Sequence, residues 1–139
     1  MKNKPVIAVV QDDAVYRLTT QKLLELSGLF SNVLVFENGS SAFLYLQQYN
    51  NVEQLPDIIL LDIHMPVMDG WAFLEEYEKL SIILSKPSHI FIHTVSLYEK
   101  DLRKAEQYKF VVGSIPAPLR ITELAQQLQF NIMERKLEA

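Results

Sequence analysis

The sequence contains no cysteine. Without thiols the chain can form neither a disulfide framework nor a thiolate metal site, and its fold does not depend on an oxidising compartment. Redox chemistry through thiols is therefore excluded, and any metal in this protein must be held by oxygen or imidazole ligands.

Positive charge is also scarce, since 13 Lys and Arg residues face 17 Asp and Glu residues, for a formal net charge of -4. The chain has no dense run of Lys or Arg, which argues against nucleic acid or an anionic membrane as a direct partner. No apolar stretch approaches the roughly 20 residues that a membrane span requires, and the apolar run before Asp12 is too short for a secretory signal. We therefore expect a cytoplasmic location.

The length and the apolar content are those of one compact domain. The chain has 139 residues, of which 49% are hydrophobic, enough to build a sizeable core. We expect a single domain over residues 1–139, with its core in residues 4–128.

Short apolar runs alternate along the chain with longer stretches of helical period. This alternation predicts an α/β fold, in which a five-stranded parallel sheet carries helices on both faces in three layers. The predicted strands are residues 6–10, 32–36, 57–61, 90–92 and 111–115. The predicted helices are one marked by Leu18, Leu23, Leu24 and Leu26 and ended by Gly28, one with Ala42, Phe43 and Leu46 on its buried face, and residues 71–84, 97–108 and 119–136.

Polar side chains follow three of the predicted strands. Gln11 and Asp12 end the first strand, Asp62 ends the third, and Thr94 lies beyond the fourth. Ligands of open parallel sheets bind at the carboxyl ends of the strands, so these side chains are expected to converge. Carboxylates without Cys, and without His at metal-ligand spacings, favour Mg²⁺. A carboxylate beside such a cation can attack a phosphoryl group, and Asp62 is the best-placed nucleophile.

The stretch of residues 56–70 resembles the phosphoacceptor strand and loop of the response-regulator receiver family almost position for position. It contains Asp62, Met65-Pro66 and Asp69-Gly70 in the family's order. Together with Gln11-Asp12-Asp13, Thr94 and Pro118-Leu119, the resemblance covers roughly residues 4–128. It implies a flavodoxin-like, doubly wound sheet with strand order 2-1-3-4-5.

The resemblance also implies roles for individual residues. Asp62 would be phosphorylated, Asp12 and the backbone carbonyl of His64 would bind Mg²⁺ together with Asp62, and Thr94 would hydrogen-bond the phosphoryl group. The chain would then be a signalling switch rather than an enzyme acting on other substrates. Its donor would be a sensor histidine kinase or a phosphotransfer protein, and a downstream protein would bind the face formed by the fourth helix, fifth strand and fifth helix, residues 97–128.

Two departures from the family pattern affect the charge of the site. Ala117 stands where the family has a Lys that pairs with the phosphoryl group, and the loss of such a charge-assisted hydrogen bond could weaken the coupling by roughly 10- to 100-fold. Gln11 stands where the family usually has an acid. Its amide oxygen can hold a metal-bound water, but we expect weaker Mg²⁺ binding because one unit of charge is lost.

Other interpretations stay open at this point. Ala117 and Gln11 are also consistent with a pseudo-receiver that binds a partner without being phosphorylated. A phosphatase of the haloacid-dehalogenase type would need a second Asp two residues after the first, where His64 stands. Asp13 and Asp69 are expected to cap helices rather than to bind ligands, and His89 and His93 are expected to be ordinary strand residues.

Overall fold

A computed structural model describes residues 4–129, and within this part of the chain five parallel strands alternate with five helices. The strands are β1 (Val6–Val10), β2 (Asn32–Phe36), β3 (Ile58–Leu61), β4 (His89–Ile92) and β5 (Val111–Ser114). The helices are α1 (Ala14–Ser27), α2 (Gly39–Gln48), α3 (Gly70–Leu80), α4 (Glu99–Ala105) and α5 (Ile121–Leu128). The sheet order is β2-β1-β3-β4-β5, which confirms the predicted doubly wound topology.

Two apolar layers fix the helices to the two faces of this sheet. Successive side chains of β3 point to opposite faces, so Leu60 packs in the layer beneath α1 and α5, and Leu61 packs in the layer beneath α2, α3 and α4. Both faces of the central strands are buried, as expected for a parallel sheet covered by helices. Among residues 4–129, none of the helices combines the length and apolar character that crossing a bilayer would require.

Side-chain caps begin the helices that follow β1, β2 and β3. Asp13 accepts a hydrogen bond from the Tyr16 amide at 3.0 Å, and Asp69 accepts one from the Ala72 amide at 2.9 Å. Asn38 caps α2 in the same way. The expected capping roles of Asp13 and Asp69 are therefore confirmed.

The predicted end of α3 at residue 84 is wrong, because the helix ends at Leu80. The Ser81 hydroxyl donates to the Glu78 carbonyl at 2.6 Å. Beyond it, the Asn50 side chain donates to the Ile83 carbonyl at 2.8 Å and accepts from the Ser85 amide at 2.7 Å. These side-chain hydrogen bonds hold the chain in turns where helical period alone predicts another helical turn.

The predicted bounds of α4 are also too wide, and the predicted start of α5 is too early. Helix α4 begins at Glu99 rather than residue 97, because the Asp101 carboxylate caps the amide of Tyr98, and it ends at Ala105 rather than residue 108. Helix α5 begins at Ile121 rather than residue 119, after an N-cap at Arg120. Its predicted continuation over residues 130–136 lies outside the described residues.

A buried hydroxyl joins α3 to the segments that enter β3 and β4. The Tyr77 side chain is 0% exposed, and its oxygen accepts a hydrogen bond from the Ser88 amide at 2.7 Å. Burial raises the pKa of Tyr77, so the phenol stays neutral. The Ser88 hydroxyl in turn donates to the Pro56 carbonyl at 2.7 Å. This short chain of hydrogen bonds aligns the amino ends of β3 and β4.

The substitution Tyr77→Phe is expected to destabilise the domain by about 1–3 kcal/mol, because it leaves the buried Ser88 amide without its acceptor. The matched control is Tyr45→Phe, whose hydroxyl donates to the Gln54 carbonyl at 2.9 Å in an exposed position. There water replaces the lost partner, so we expect a change of less than about 1 kcal/mol. Urea unfolding measures both, and equal losses would contradict the role given to the buried hydroxyl.

Candidate functional site

The hydrogen-bond ladder of the sheet continues one residue beyond β3 and β4. The Asp62 amide donates to the Val10 carbonyl at 3.0 Å, and the His93 amide donates to the Leu61 carbonyl at 2.8 Å. Asp62 is therefore held by the sheet itself, at the edge where the carboxyl ends of the strands meet. The structure brings Asp12, Asp62 and Thr94 together there, as the strand pattern predicts.

The Asp62 carboxylate is the buried acid of this edge, with 6% of the residue exposed. It accepts a hydrogen bond from the His64 amide at 3.2 Å and another from the Thr94 side chain. Burial raises the pKa of Asp62, these two hydrogen bonds oppose the rise, and the nearby charge of Asp12 adds to it. The carboxylate is thus held in a fixed orientation at a cost in electrostatic energy.

The loop after Asp62 packs closely against the first residues of α2 and α3. A Cβ on Gly70 would lie 2.6 Å from the Cα of Ile63 and 2.7 Å from the Asp62 carbonyl oxygen. A Cβ on Gly39 would lie 2.8 Å from the Met68 carbonyl oxygen. No other residue type fits these two contacts without moving the backbone, so the Asp-Gly pair of the motif fixes the path of the loop beside Asp62.

One residue of the same loop has a strained backbone. Val67 has φ 67°, in the left-handed region, and its side chain is 90% exposed. A β-branched residue rarely adopts this conformation, so the packing on either side of Val67 holds the loop in place against the local preference of the chain.

Asp12 and Gln11 supply the part of the site that follows β1. Asp12 is exposed, whereas Gln11 is buried and its amide oxygen accepts a hydrogen bond from the Asp13 amide at 3.0 Å. The Arg17 guanidinium donates to the Gln11 carbonyl at 2.9 Å and to the Asp12 carbonyl at 3.3 Å. Sequence reasoning missed Arg17, which lies one helical turn into α1 and places a positive charge beneath this turn.

The oxygen atoms at this edge fit a weakly held Mg²⁺ ion. Residues 4–129 contain no group of three Asp, Glu, His or Cys side chains suited to a metal. The oxygens that would hold such an ion are those of the two carboxylates, Asp12 and Asp62, with the neutral oxygens of Gln11 and the His64 backbone. Mg²⁺ is commonly bound through one or two carboxylates while it keeps several waters. The repulsion that Asp12 exerts on Asp62 is what a cation between them would relieve.

The loop after β5 approaches Thr94 through its backbone. The Ile115 amide donates to the Ile92 carbonyl at 2.8 Å, and the Ala117 amide donates to the Thr94 carbonyl at 3.1 Å. The peptide bond between Ala117 and Pro118 is cis. Ala117 therefore lies beside the site, but its methyl group can neither donate a hydrogen bond nor supply charge.

His93 also lies at this edge, although strand periodicity does not distinguish it from its neighbours. The residue is 3% exposed, and its ring Nδ1 lies 2.9 Å from the Ile115 carbonyl oxygen. Burial lowers the pKa of His93, and the hydrogen bond to Ile115 and the charge of Asp62 partly offset this effect. A polar residue that directly follows an apolar strand was the available signal for a special contact.

Comparison with known proteins gives a match over most of the chain. The family model described as "Response regulator receiver domain" matches residues 7–131. Response regulator Rcp1 of Synechocystis is 26% identical over 102 residues, covering 68% of this chain and 69% of that protein. The crystal structure of a response regulator receiver protein from Dyadobacter fermentans superposes with a TM-score of 0.79 at 27% identity, covering 91% of this chain and 97% of that one.

Some similar proteins are much longer than this chain. A protein-glutamate methylesterase/protein-glutamine glutaminase of Rhodospirillum rubrum is 34% identical over 84 residues, which is 60% of this chain but 20% of that protein. The similarity therefore concerns one part of that relative.

The substitution Asp62→Asn is expected to stabilise the domain in metal-free buffer at neutral pH. A raised carboxyl pKa means that stability is highest at acid pH and falls as the pH rises through the shifted value, so the ionised carboxylate destabilises the fold at neutral pH. Asn removes the charge and keeps an oxygen for the His64 amide. We expect a gain on the order of 1 kcal/mol, measured by thermal unfolding with and without Mg²⁺.

The control for this prediction is Asp69→Asn, which also removes one carboxylate but leaves a residue that caps a helix equally well, so its stability should change by less than about 0.5 kcal/mol. Mg²⁺ should stabilise the parent and the Asp69→Asn chain more than the Asp62→Asn chain. Lower stability of Asp62→Asn in metal-free buffer would contradict the electrostatic cost assigned to Asp62.

Proposed function

We propose, from the premise that this chain belongs to the response regulator receiver domain family, that Asp62 accepts a phosphoryl group from a phosphohistidine donor. The family match makes the chain a receiver domain of two-component signalling. The observation that carries the finer proposal is the geometry of Asp62, a buried carboxylate at the end of a central strand that accepts hydrogen bonds from the His64 amide and the Thr94 side chain.

In the proposed reaction an oxygen of the Asp62 carboxylate attacks the phosphorus atom. The bond between phosphorus and the donor imidazole nitrogen breaks, the electron pair leaves with the imidazole, and an acyl phosphate forms on Asp62. The Thr94 hydroxyl, which hydrogen-bonds the unmodified carboxylate, would then donate to the phosphoryl group. The His64 amide would continue to orient the carboxyl group, so the site would change little when the group arrives.

We assign the Mg²⁺ ligands to Asp12, Asp62 and the backbone carbonyl of His64, with Gln11 acting through a water molecule. When bound, Mg²⁺ offsets the negative charge that accumulates as the phosphoryl group approaches the carboxylate. Because Gln11 carries no charge and its amide oxygen is already engaged by the Asp13 amide, we expect the affinity for Mg²⁺ to be lower than two acids after β1 would give.

The partners proposed for this switch are proteins. A sensor histidine kinase or a phosphotransfer protein would supply the phosphoryl group. A downstream protein would bind the face of α4, β5 and α5, residues 97–128, where Tyr98 and Leu102 expose apolar surface. Transfer from an intracellular kinase would place the domain in the cytoplasm, and direct contact with nucleic acid or membrane is not part of the proposal.

One observation favours a second candidate function, that of a pseudo-receiver. Ala117 brings no cation to the site, and its amide already bonds the Thr94 carbonyl at 3.1 Å. A domain in this state could bind its partner without phosphorylation. The two candidates differ in whether an acyl phosphate forms at all.

Incubation with phosphoramidate and Mg²⁺ is expected to give a phosphoryl adduct on the parent chain, detected by intact mass and removed by hydroxylamine. Asp62→Asn should give no adduct because the nucleophile is gone. Asp69→Asn should give the same adduct as the parent, since Asn retains the cap at the start of α3. An adduct that persists in Asp62→Asn would show that another residue is the acceptor.

The variant Ala117→Lys separates the two candidate functions. An adduct on the parent supports the proposed receiver, and the restored ammonium should then alter the lifetime of the adduct by about 10-fold or more, the scale of one charge-assisted hydrogen bond. No adduct on the parent with an adduct on Ala117→Lys supports the pseudo-receiver. No adduct on either chain, in buffer where both are folded, removes phosphorylation from the function of this domain.

A further inference from the structure

We propose that His93 is a positioning residue of the acceptor site, whose ring holds the loop after β5 against Thr94. The proposal rests on the function proposed for Asp62 and adds a residue to it. It follows from the way in which the dipeptide His93-Thr94 contacts both β3 and the segment of residues 115–117.

The ring of His93 makes a defined contact with the first residue after β5. Its Nδ1 lies 2.9 Å from the carbonyl oxygen of Ile115, a residue that is fully buried. A carbonyl oxygen can only accept a hydrogen bond, so Nδ1 carries the hydrogen, and the neutral ring then has its lone pair on Nε2. The lowered pKa of His93, caused by burial, agrees with a neutral ring.

The backbone of the same dipeptide makes two further contacts. The His93 amide donates to the carbonyl of Leu61, which directly precedes Asp62, at 2.8 Å. The Thr94 carbonyl accepts from the Ala117 amide at 3.1 Å. The position of the Thr94 hydroxyl relative to Asp62 is therefore set on one side by β3 and on the other side by residues 115–117.

The chemistry of Ala117 gives the His93 contact its importance. Ala117 sends no charged or hydrogen-bonding side chain from the loop towards Asp62, so neutral hydrogen bonds must hold this loop beside Thr94. Two of them are backbone contacts, from the Ile115 and Ala117 amides, and the third is the His93 ring. The buried strand neighbours Phe91 and Ile92 are apolar, and an imidazole among them is costly unless its hydrogen bond is used.

The test compares His93→Leu, which removes the donor and fills similar space, with His93→Gln, which keeps an N–H group able to reach the carbonyl. The initial rate of phosphorylation by phosphoramidate with Mg²⁺, followed by intact mass, should fall about 3- to 10-fold in His93→Leu and recover to within about twofold of the parent in His93→Gln. The control His89→Leu changes the histidine at the amino end of β4, at the opposite end of the strand from His93, and should leave the rate unchanged.

Nuclear magnetic resonance on the parent chain supplies a measurement that does not depend on any variant. The ring of His93 should show a hydrogen on Nδ1, and this resonance should shift when Asp62 is phosphorylated. In His93→Leu the Ala117 amide should exchange with solvent about 10-fold faster than in the parent, because one of the three contacts that hold the loop is lost. His93→Gln should restore its protection.

Each outcome decides the proposal. A hydrogen on Nε2 instead of Nδ1 overturns it, as does an equal loss of rate in His93→Leu and His93→Gln. If the parent is phosphorylated and His93→Leu reacts at the parent's rate, the role proposed for His93 is contradicted while the function proposed for Asp62 is supported. If the parent takes no phosphoryl group, both fall. If His93→Leu does not fold, the ring resonance and the rate of His93→Gln still decide.

Discussion

The continuation of the parallel hydrogen-bond ladder beyond the ends of β3 and β4 is the constraint on which the candidate site depends. The Asp62 amide bonds to the last residue of β1, and the His93 amide bonds to the last residue of β3. These contacts carry the rigidity of the buried central strands into the first residues outside the sheet. The acid and the hydroxyl that face each other across this edge are therefore positioned by backbone bonds rather than by flexible side chains.

The same constraint explains why the loop after Asp62 tolerates unfavourable local features. A carboxylate is buried with its pKa raised, a valine is held at φ 67°, and Gly70 approaches the backbone of Asp62 and Ile63 too closely for any side chain. Each of these features lowers the stability of the folded domain. The apolar contacts of the two layers offset this loss. The arrangement stores electrostatic repulsion between Asp12 and Asp62, which binding of a cation would release.

The elements with a regular pattern of apolar residues were predicted correctly from the sequence. The strands follow from the runs of buried apolar residues, their order follows from the resemblance to the receiver family, and the position of Asp62 follows because it ends a continuous apolar run. The predicted ends of α3 and α4 and the predicted start of α5 were wrong, and side-chain contacts such as those of Ser81 and Asp101 set the bounds of α3 and α4. Periodicity carries no information about such contacts.

The contacts of Arg17 and His93 were missed for a related reason. Arg17 contacts the turn that precedes its own helix, and His93 contacts the segment after β5. A pattern read along one strand or helix does not show what lies beside it. His93 directly follows the buried apolar residues of β4, which predicts burial, but only the lateral placement of the segment after β5 shows that its ring meets the Ile115 carbonyl.

The two departures from the family pattern have opposite charge. Gln11 removes a negative charge from the edge, and Ala117 removes a positive one, so the sum of fixed charges around Asp62 is the same as with an acid and a lysine. Because Coulomb interactions near Asp62 depend on this local sum, the loss of one charge offsets part of the effect of losing the other. Ala117 does change which groups can contact Asp62. A lysine side chain can extend from the loop to this carboxylate, and an alanine side chain cannot. The connection between Asp62 and residues 115–117 must then pass through groups already in contact, which in this fold are Thr94 and the ring of His93.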